Sequence, residues 1–268
     1  ATHFCGKDAP HTWVGVYDHI FLDKAAELIE NAQEDGPVFH FLYTTSNHGP
    51  YKMNLSELGF DMEKVMADAP DDVRSNGILH KVLGTYWYSD QAIAKFFWRM
   101  KAAFPDALFL ITGDHGSSYR ELQSTSFMKR EYTFREGHCP IFMMNHRDIT
   151  QVLLQGNTIG GHMNIMPTIM ELIAPKGFTY YSLEPSLLTP LSQIVTPYHW
   201  LTKDAIGDYE RSYFQDVTAQ DGRDIHRGEP PFQNISEAQK NITAYLLKHP
   251  ELLKTREQLL ENRDGRFG

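Results

Sequence analysis

The stretch Ala107-Leu108-Phe109-Leu110-Ile111-Thr112-Gly113-Asp114-His115-Gly116 runs from an apolar segment straight into a glycine-flanked polar turn. An uncharged run rich in branched and aromatic side chains reads as a strand buried on both faces. Pro105-Asp106 closes the segment before it, a helical pattern over 73–104 with a break expected near Gly84. The same grammar recurs upstream. Residues 18–33 place Ile20, Phe21, Ala25, Leu28 and Ile29 on one helical stripe. Val38-Phe39-His40-Phe41-Leu42-Tyr43 then reads as a second buried strand, ending in the polar loop Thr44-Thr45-Ser46-Asn47-His48-Gly49-Pro50-Tyr51. A third strand is expected at 140–144, and Gly160-Gly161 precedes a helix over 162–173. Strands alternating with helices predict an α/β class: a doubly wound, mostly parallel sheet flanked by helices.

Beyond residue 175 the pattern loosens into an irregular extension. Its polar stretch over 215–234 reads as a solvated connector, and a charged helix over about 236–262, broken at His249-Pro250, ends it. The expected division is therefore 1–175 for the α/β domain and 176–268 for an extension packed on it.

Composition narrows the function classes. Aromatic residues make up 12% of 268, which excludes a disordered chain, and the net charge of −9 disfavours a nucleic-acid partner. No run approaches the ~20 apolar residues of a membrane-spanning helix. No signal peptide opens the chain, and Ala1-Thr2-His3-Phe4-Cys5 reads as a cut through a longer protein. Cys5 and Cys139 are too few for a disulfide framework, and whether they pair is open.

Three loops lie beside predicted strand ends, the edge where open α/β sheets bind ligands. In Gly113-Asp114-His115-Gly116 a carboxylate and an imidazole can both reach one cation, and that oxygen–nitrogen mix suits zinc or manganese. The same residues also suit a plain surface turn. His48, His138 in Arg135-Glu136-Gly137-His138-Cys139-Pro140, and His162 at a helix start are further candidates. In a chain with 13 histidines, a solvated or packed role competes for each of them.

These residues resemble a known superfamily. The segment 39–51 is similar to the strand and S/T-N-H-x-P-Y loop of lipoteichoic acid synthases and phosphoglycerol transferases, and to the S-H-G-P segment of phosphoethanolamine transferases. Residues 88–97 resemble the helix before the metal strand. Leu110-Ile111-Thr112-Gly113-Asp114-His115-Gly116 matches the D-H-G hallmark of the alkaline phosphatase/sulfatase superfamily. Gly161-His162-Met163-Asn164-Ile165-Met166-Pro167-Thr168 is similar to its D-I-x-P-T helix start, and Trp13-Val14-Gly15-Val16-Tyr17-Asp18 to the W-G-V-Y-D entry of the transferases. The motifs run in the right order from 13 to 173.

The resemblance implies an alkaline-phosphatase-like fold and a divalent metal, zinc or manganese, held by Asp114 and His115. The metal would activate a Thr or Ser nucleophile that forms a phospho-enzyme. His48 and His138 would contact the phosphate or leaving group, or ligate a second zinc, and His162 would join them at the substrate. The implied reaction moves phosphoglycerol or phosphoethanolamine from a phospholipid headgroup to a glycan or lipid acceptor. It would run on the extracytoplasmic face of a bacterial inner membrane, in a parent anchored by N-terminal helices. A sulfatase or phosphodiesterase hydrolase, and a non-catalytic headgroup- or glycan-binding domain, remain alternatives.

The departures are specific. The family's first acidic ligand and its nucleophile are expected upstream of this chain, which leaves it inactive alone and its metal site half complete. Thr44, Thr45 and Ser46 match the substrate-histidine loop, not the nucleophile. Asn164 stands where the family carries Asp, and Gly161-His162 replace its usual Ser/Gln.

Overall fold

The computed structural model describes residues 2–32, 36–116, 120–123, 125–126, 128–146 and 159–252. They fall into two compact units, residues 1–131 with 139–150, and residues 132–138 with 151–268.

The first unit is built on two helices. After a short α1 (Thr2–Cys5), α2 (Asp18–Asn31) buries Asp18, Leu22, Ala25 and Ala26, a face that shares only Ala25 with the predicted stripe, and Leu28 of that stripe is exposed. Two single-turn helices, α3 (Met62–Val65) and α4 (Asp71–Arg74), lead to α5 (Gly77–Ala103), which packs on α2. Asn76 caps α5 by accepting the Leu79 amide at 3.0 Å. No break occurs at Gly84. A Cβ there would lie 2.4 Å from Leu55 Cδ1, so this glycine admits the 55–60 loop against the helix rather than ending it. Met53, Leu55, Phe60 and Tyr88 form the core at that crossing.

Strand β1 (Phe109–Thr112) follows α5 directly, then α6 (Arg120–Gln123), and β2 (Phe142–Asn145) returns beside β1. The two pair antiparallel, Phe109 opposite Asn145 and Thr112 opposite Phe142, and the Gly113 amide donates to Ile141 O to close the ladder. The segment 37–45 forms no ladder with a described strand. The run expected to be buried is largely bare, with Phe41 77% exposed and Phe39 and Tyr43 exposed beside it.

The second unit carries α7 (Phe134–His138), a 3-10 turn (His162–Asn164) leading into α8 (Ile165–Ile173), and a five-stranded meander. Its strands are β3 (Gln193–Val195), β4 (His199–Thr202), β5 (Ala205–Asp208), β6 (Tyr213–Asp216) and β7 (His226–Arg227). Ile194, Val195, Trp200 and Ile206 fill its core. The connections are too short for crossovers, so every pairing is antiparallel. The mixed α/β class therefore holds, while each ladder among the described residues is antiparallel where parallel pairing was expected.

The stretch 215–234 is no mere connector: β6, β7 and the start of α9 (Gln233–Lys248) lie in it, and Gln215 is buried. Helix α9 stops at His249, at the expected break; the remainder of the helix expected to 262 lies outside the described residues beyond 252. No described helix is long and apolar enough to cross a membrane. Cys5 and Cys139 form no disulfide.

Candidate functional site

Asp114 and His115 sit in the turn that leaves β1, both exposed. The His115 amide donates to Asp114 Oδ1 at 3.0 Å, which turns the carboxylate toward the following residue. His115 Nδ1 lies 2.5 Å from Gly116 O. A carbonyl only accepts, so Nδ1 carries the proton and Nε2 keeps its lone pair. That lone pair lies 3.7 Å from Asp114 Oδ2. Two ligands bonded at ~2.0–2.1 Å in a tetrahedral site stand about 3.3 Å apart, so this pair fits two corners of one cation site with little adjustment. An Nδ1–H held by a backbone carbonyl is also the usual support of a metal-binding imidazole. Among the described residues no group of three His, Cys, Asp or Glu side chains could hold a metal ion.

His48 belongs to the same unit, in a loop whose conformation is fixed from outside. Asp18, 1% exposed at the start of α2, accepts the Thr45 amide at 2.9 Å and the Ser46 amide at 3.1 Å. Its own amide donates to Ser46 Oγ at 2.9 Å. Thr85 of α5 donates to Asn47 Oδ1 at 2.8 Å. Tyr88 Oη lies 2.6 Å from His19 Nδ1 and accepts the His19 amide, and burial pushes its phenol up to about 12, so it stays neutral. Ser46 thus serves as a buried structural hydroxyl. His48 itself is exposed, with Nδ1 2.8 Å from Gly49 O, which again leaves the Nε2 lone pair outward.

His138 and His162 lie in the second unit. His138 ends α7, its Nδ1 2.9 Å from Phe134 O and its ring stacked on Phe134 at 4.0 Å. His199, which sequence reasoning passed over, meets the His138 ring edge-on at 4.8 Å and puts Nε2 3.6 Å from Asp208 Oδ2. Burial holds the His199 imidazole below its ordinary pKa, and His138 adds to that. Gln215 Oε1 accepts the Phe134 amide at 2.5 Å, so a residue from the expected connector holds the helix that carries His138. His162 is exposed in the 3-10 turn. The neighbouring Asn164 is fully buried: Oδ1 accepts the Gly161 amide and Nδ2 donates to Pro185 O, both at 2.8 Å. An amide fills that position as a structural clamp, which an Asp could not do without losing the donor.

The family model described as Sulfatase matches residues 2–174. Among solved structures, the lipoteichoic acid synthase LtaP from Listeria monocytogenes superposes with a TM-score of 0.59 at 15% identity, over 88% of this chain. The match covers 59% of the LtaP chain. Likeness at that identity speaks for the fold, and it supports the alkaline-phosphatase-like architecture.

Proposed function

The chain belongs to the sulfatase family, and from that premise we propose that it is part of a metal-dependent phosphotransferase. The proposed reaction moves phosphoglycerol or phosphoethanolamine from a lipid to a glycan or lipid acceptor, on the extracytoplasmic face of a bacterial inner membrane, in a membrane-anchored parent. One observation carries this reading: Asp114 Oδ2 and His115 Nε2, 3.7 Å apart at the end of β1, with the His115 proton committed to Gly116 O.

Those two side chains would hold a zinc or manganese ion. When bound, the ion acts as a Lewis acid on the phosphoryl group and favours the deprotonated form of a nucleophilic hydroxyl. The other residues bind and orient. With its Nε2 lone pair His48 would accept the proton of an attacking hydroxyl, and once protonated there it would donate to a phosphate oxygen or to the leaving oxygen, as general acid–base work requires. His138 and His162 are assigned to substrate groups on their own unit. Ser46 is occupied by Asp18, and by the family resemblance the activated hydroxyl and the first acidic metal ligand are assigned to a preceding part of the parent polypeptide. This fits a chain that matches 59% of the LtaP structure.

The test is titration calorimetry with zinc and manganese, together with a phosphodiester transfer assay, on this chain and on its full-length parent. Activity in the parent that is lost on Asp114→Ala supports the transferase reading. Water as the only acceptor makes the protein a hydrolase. Headgroup or glycan binding without metal or turnover makes it a binding domain.

A further inference from the structure

Trp13 is 72% exposed, so core packing does not explain it. Its position is nevertheless fixed. Residues 12–15 form a tight turn in which the Thr12 amide donates to Gly15 O at 2.8 Å, while Thr12 Oγ1 accepts the Val14 and Gly15 amides at 3.3 Å. That turn lies directly against the His48 loop, since a Cβ on Gly15 would come within 2.7 Å of Thr45 Oγ1. From its tip the Trp13 indole Nε1 donates to Gly49 O at 2.9 Å, across 36 residues of chain. The Trp13 ring meets the His48 imidazole edge-on, centroids 5.3 Å apart at 78°.

Gly49 O is also the group that accepts from His48 Nδ1. A carbonyl oxygen has two lone pairs. One takes the indole proton and the other the imidazole proton, so the indole anchors the oxygen that decides which His48 nitrogen is protonated. We infer that Trp13 is a positioning residue for His48, locking its ring and its Nδ1–H tautomer so that the Nε2 lone pair faces outward. Its value to catalysis rests on the substrate role proposed for His48; the geometric effect does not.

The test uses the full 268-residue chain. Histidine ring nitrogens are observed by long-range proton–nitrogen correlation at alkaline pH, with the His48 signal assigned by its loss in His48→Gln. In the wild type, Nε2 of His48 is expected at the pyridine-like position. Trp13→Phe keeps an aromatic edge and removes the donor, and it should move that signal toward the pyrrole-like position. Trp13→Ala should move it further and broaden it. His138, whose Nδ1 is held by Phe134 O, should stay unchanged in both. A wild-type His48 already protonated on Nε2, or a signal unmoved in the folded Trp13→Phe protein, overturns the inference. Inorganic phosphate is then added to the wild type as a separate arm. If phosphate leaves His48 unmoved while Trp13→Phe shifts its tautomer, the substrate reading fails and the positioning role stands.

Discussion

Asp114 Oδ2 faces His115 Nε2 across 3.7 Å, and the other nitrogen of that ring is tied back to Gly116 O. The same pattern of Nδ1 on a backbone carbonyl recurs at His48 and His138. Three of the four candidate histidines are thus held in the tautomer that offers Nε2 to a ligand. His162 lies in the 3-10 turn that the buried Asn164 holds.

If Asp114 and His115 are two corners of a cation site, either change, Asp114→Asn or His115→Gln, removes a direct ligand. Losing an outer supporting group typically costs ~10–100-fold in metal affinity. The expected loss is therefore at least that large, read by titration calorimetry with zinc on the full-length parent. Unchanged affinity in both variants would move the metal elsewhere.

Asp18→Ala should destabilise the first unit by about 3 kcal/mol, because it strands the half-buried Thr45 and buried Ser46 amides, at ~1–3 kcal/mol for each orphaned donor. Urea unfolding of the variant measures this. Increased hydrogen exchange at Thr45 and Ser46 would place the loss in the His48 loop.

Replacing glycine by alanine in a compatible extended position usually adds ~0.4–1 kcal/mol of stability. Gly207 should behave oppositely. It sits opposite Trp200 in the β4–β5 ladder, and a Cβ would approach three atoms of that buried ring to 2.5–2.6 Å. Overpacking of this kind costs ~1–3 kcal/mol, and a rigid indole cannot swing aside as a leucine end can, so the net effect of Gly207→Ala is destabilising. Thermal unfolding followed by tryptophan fluorescence checks the sign.

Two half-buried imidazoles make stability depend on pH. Burial lowers His19 and His199 below the ordinary value of 6.5, outweighing the neighbouring Asp23 and Asp208 carboxylates. Between the lowered folded values and 6.5 the unfolded chain binds more protons than the folded one. Their contribution is therefore complete above 6.5 and is lost as pH falls through that value toward the folded pKa. The melting temperature should drop from about pH 7.5 to about pH 5.5, and less steeply in a His19→Gln, His199→Gln double variant.

What the sequence makes legible here is local. The run from Phe109 to Gly116 announces a strand and a turn because both signals lie within a few residues of one another. Helix α2 is legible as an element, though its buried face runs through Leu22 and Ala26 rather than the predicted Phe21 and Leu28, and α9 stops at the His249-Pro250 signal. The bonds that shape the loop around His48 span 27 to 38 residues, and no periodicity records them. Trp13, Gly15 and Asp18 were visible as a motif, while their shared task of holding residues 45–49 was not. Gly84 misleads for a related reason. Its local propensity says breaker, but the close approach of Leu55 and Phe60 decides its use. The meander escaped because strands of two to four residues are too short for an alternation to register, and Gln215 looked like surface until β6 buried it.

The bare aromatic run in segment 37–45 has a practical consequence. Its Phe39, Phe41 and Tyr43 side chains are bare, a run of apolar surface of the kind that drives association. In a test tube the available apolar partner is the same segment on a neighbouring molecule. Purified at high concentration, this polypeptide should form oligomers that sedimentation velocity detects and dilution reverses. A lysine in place of Phe41 puts a charge in the middle of the adhesive stretch and should shift the sample toward monomer, giving crystallographers and spectroscopists a better-behaved starting material.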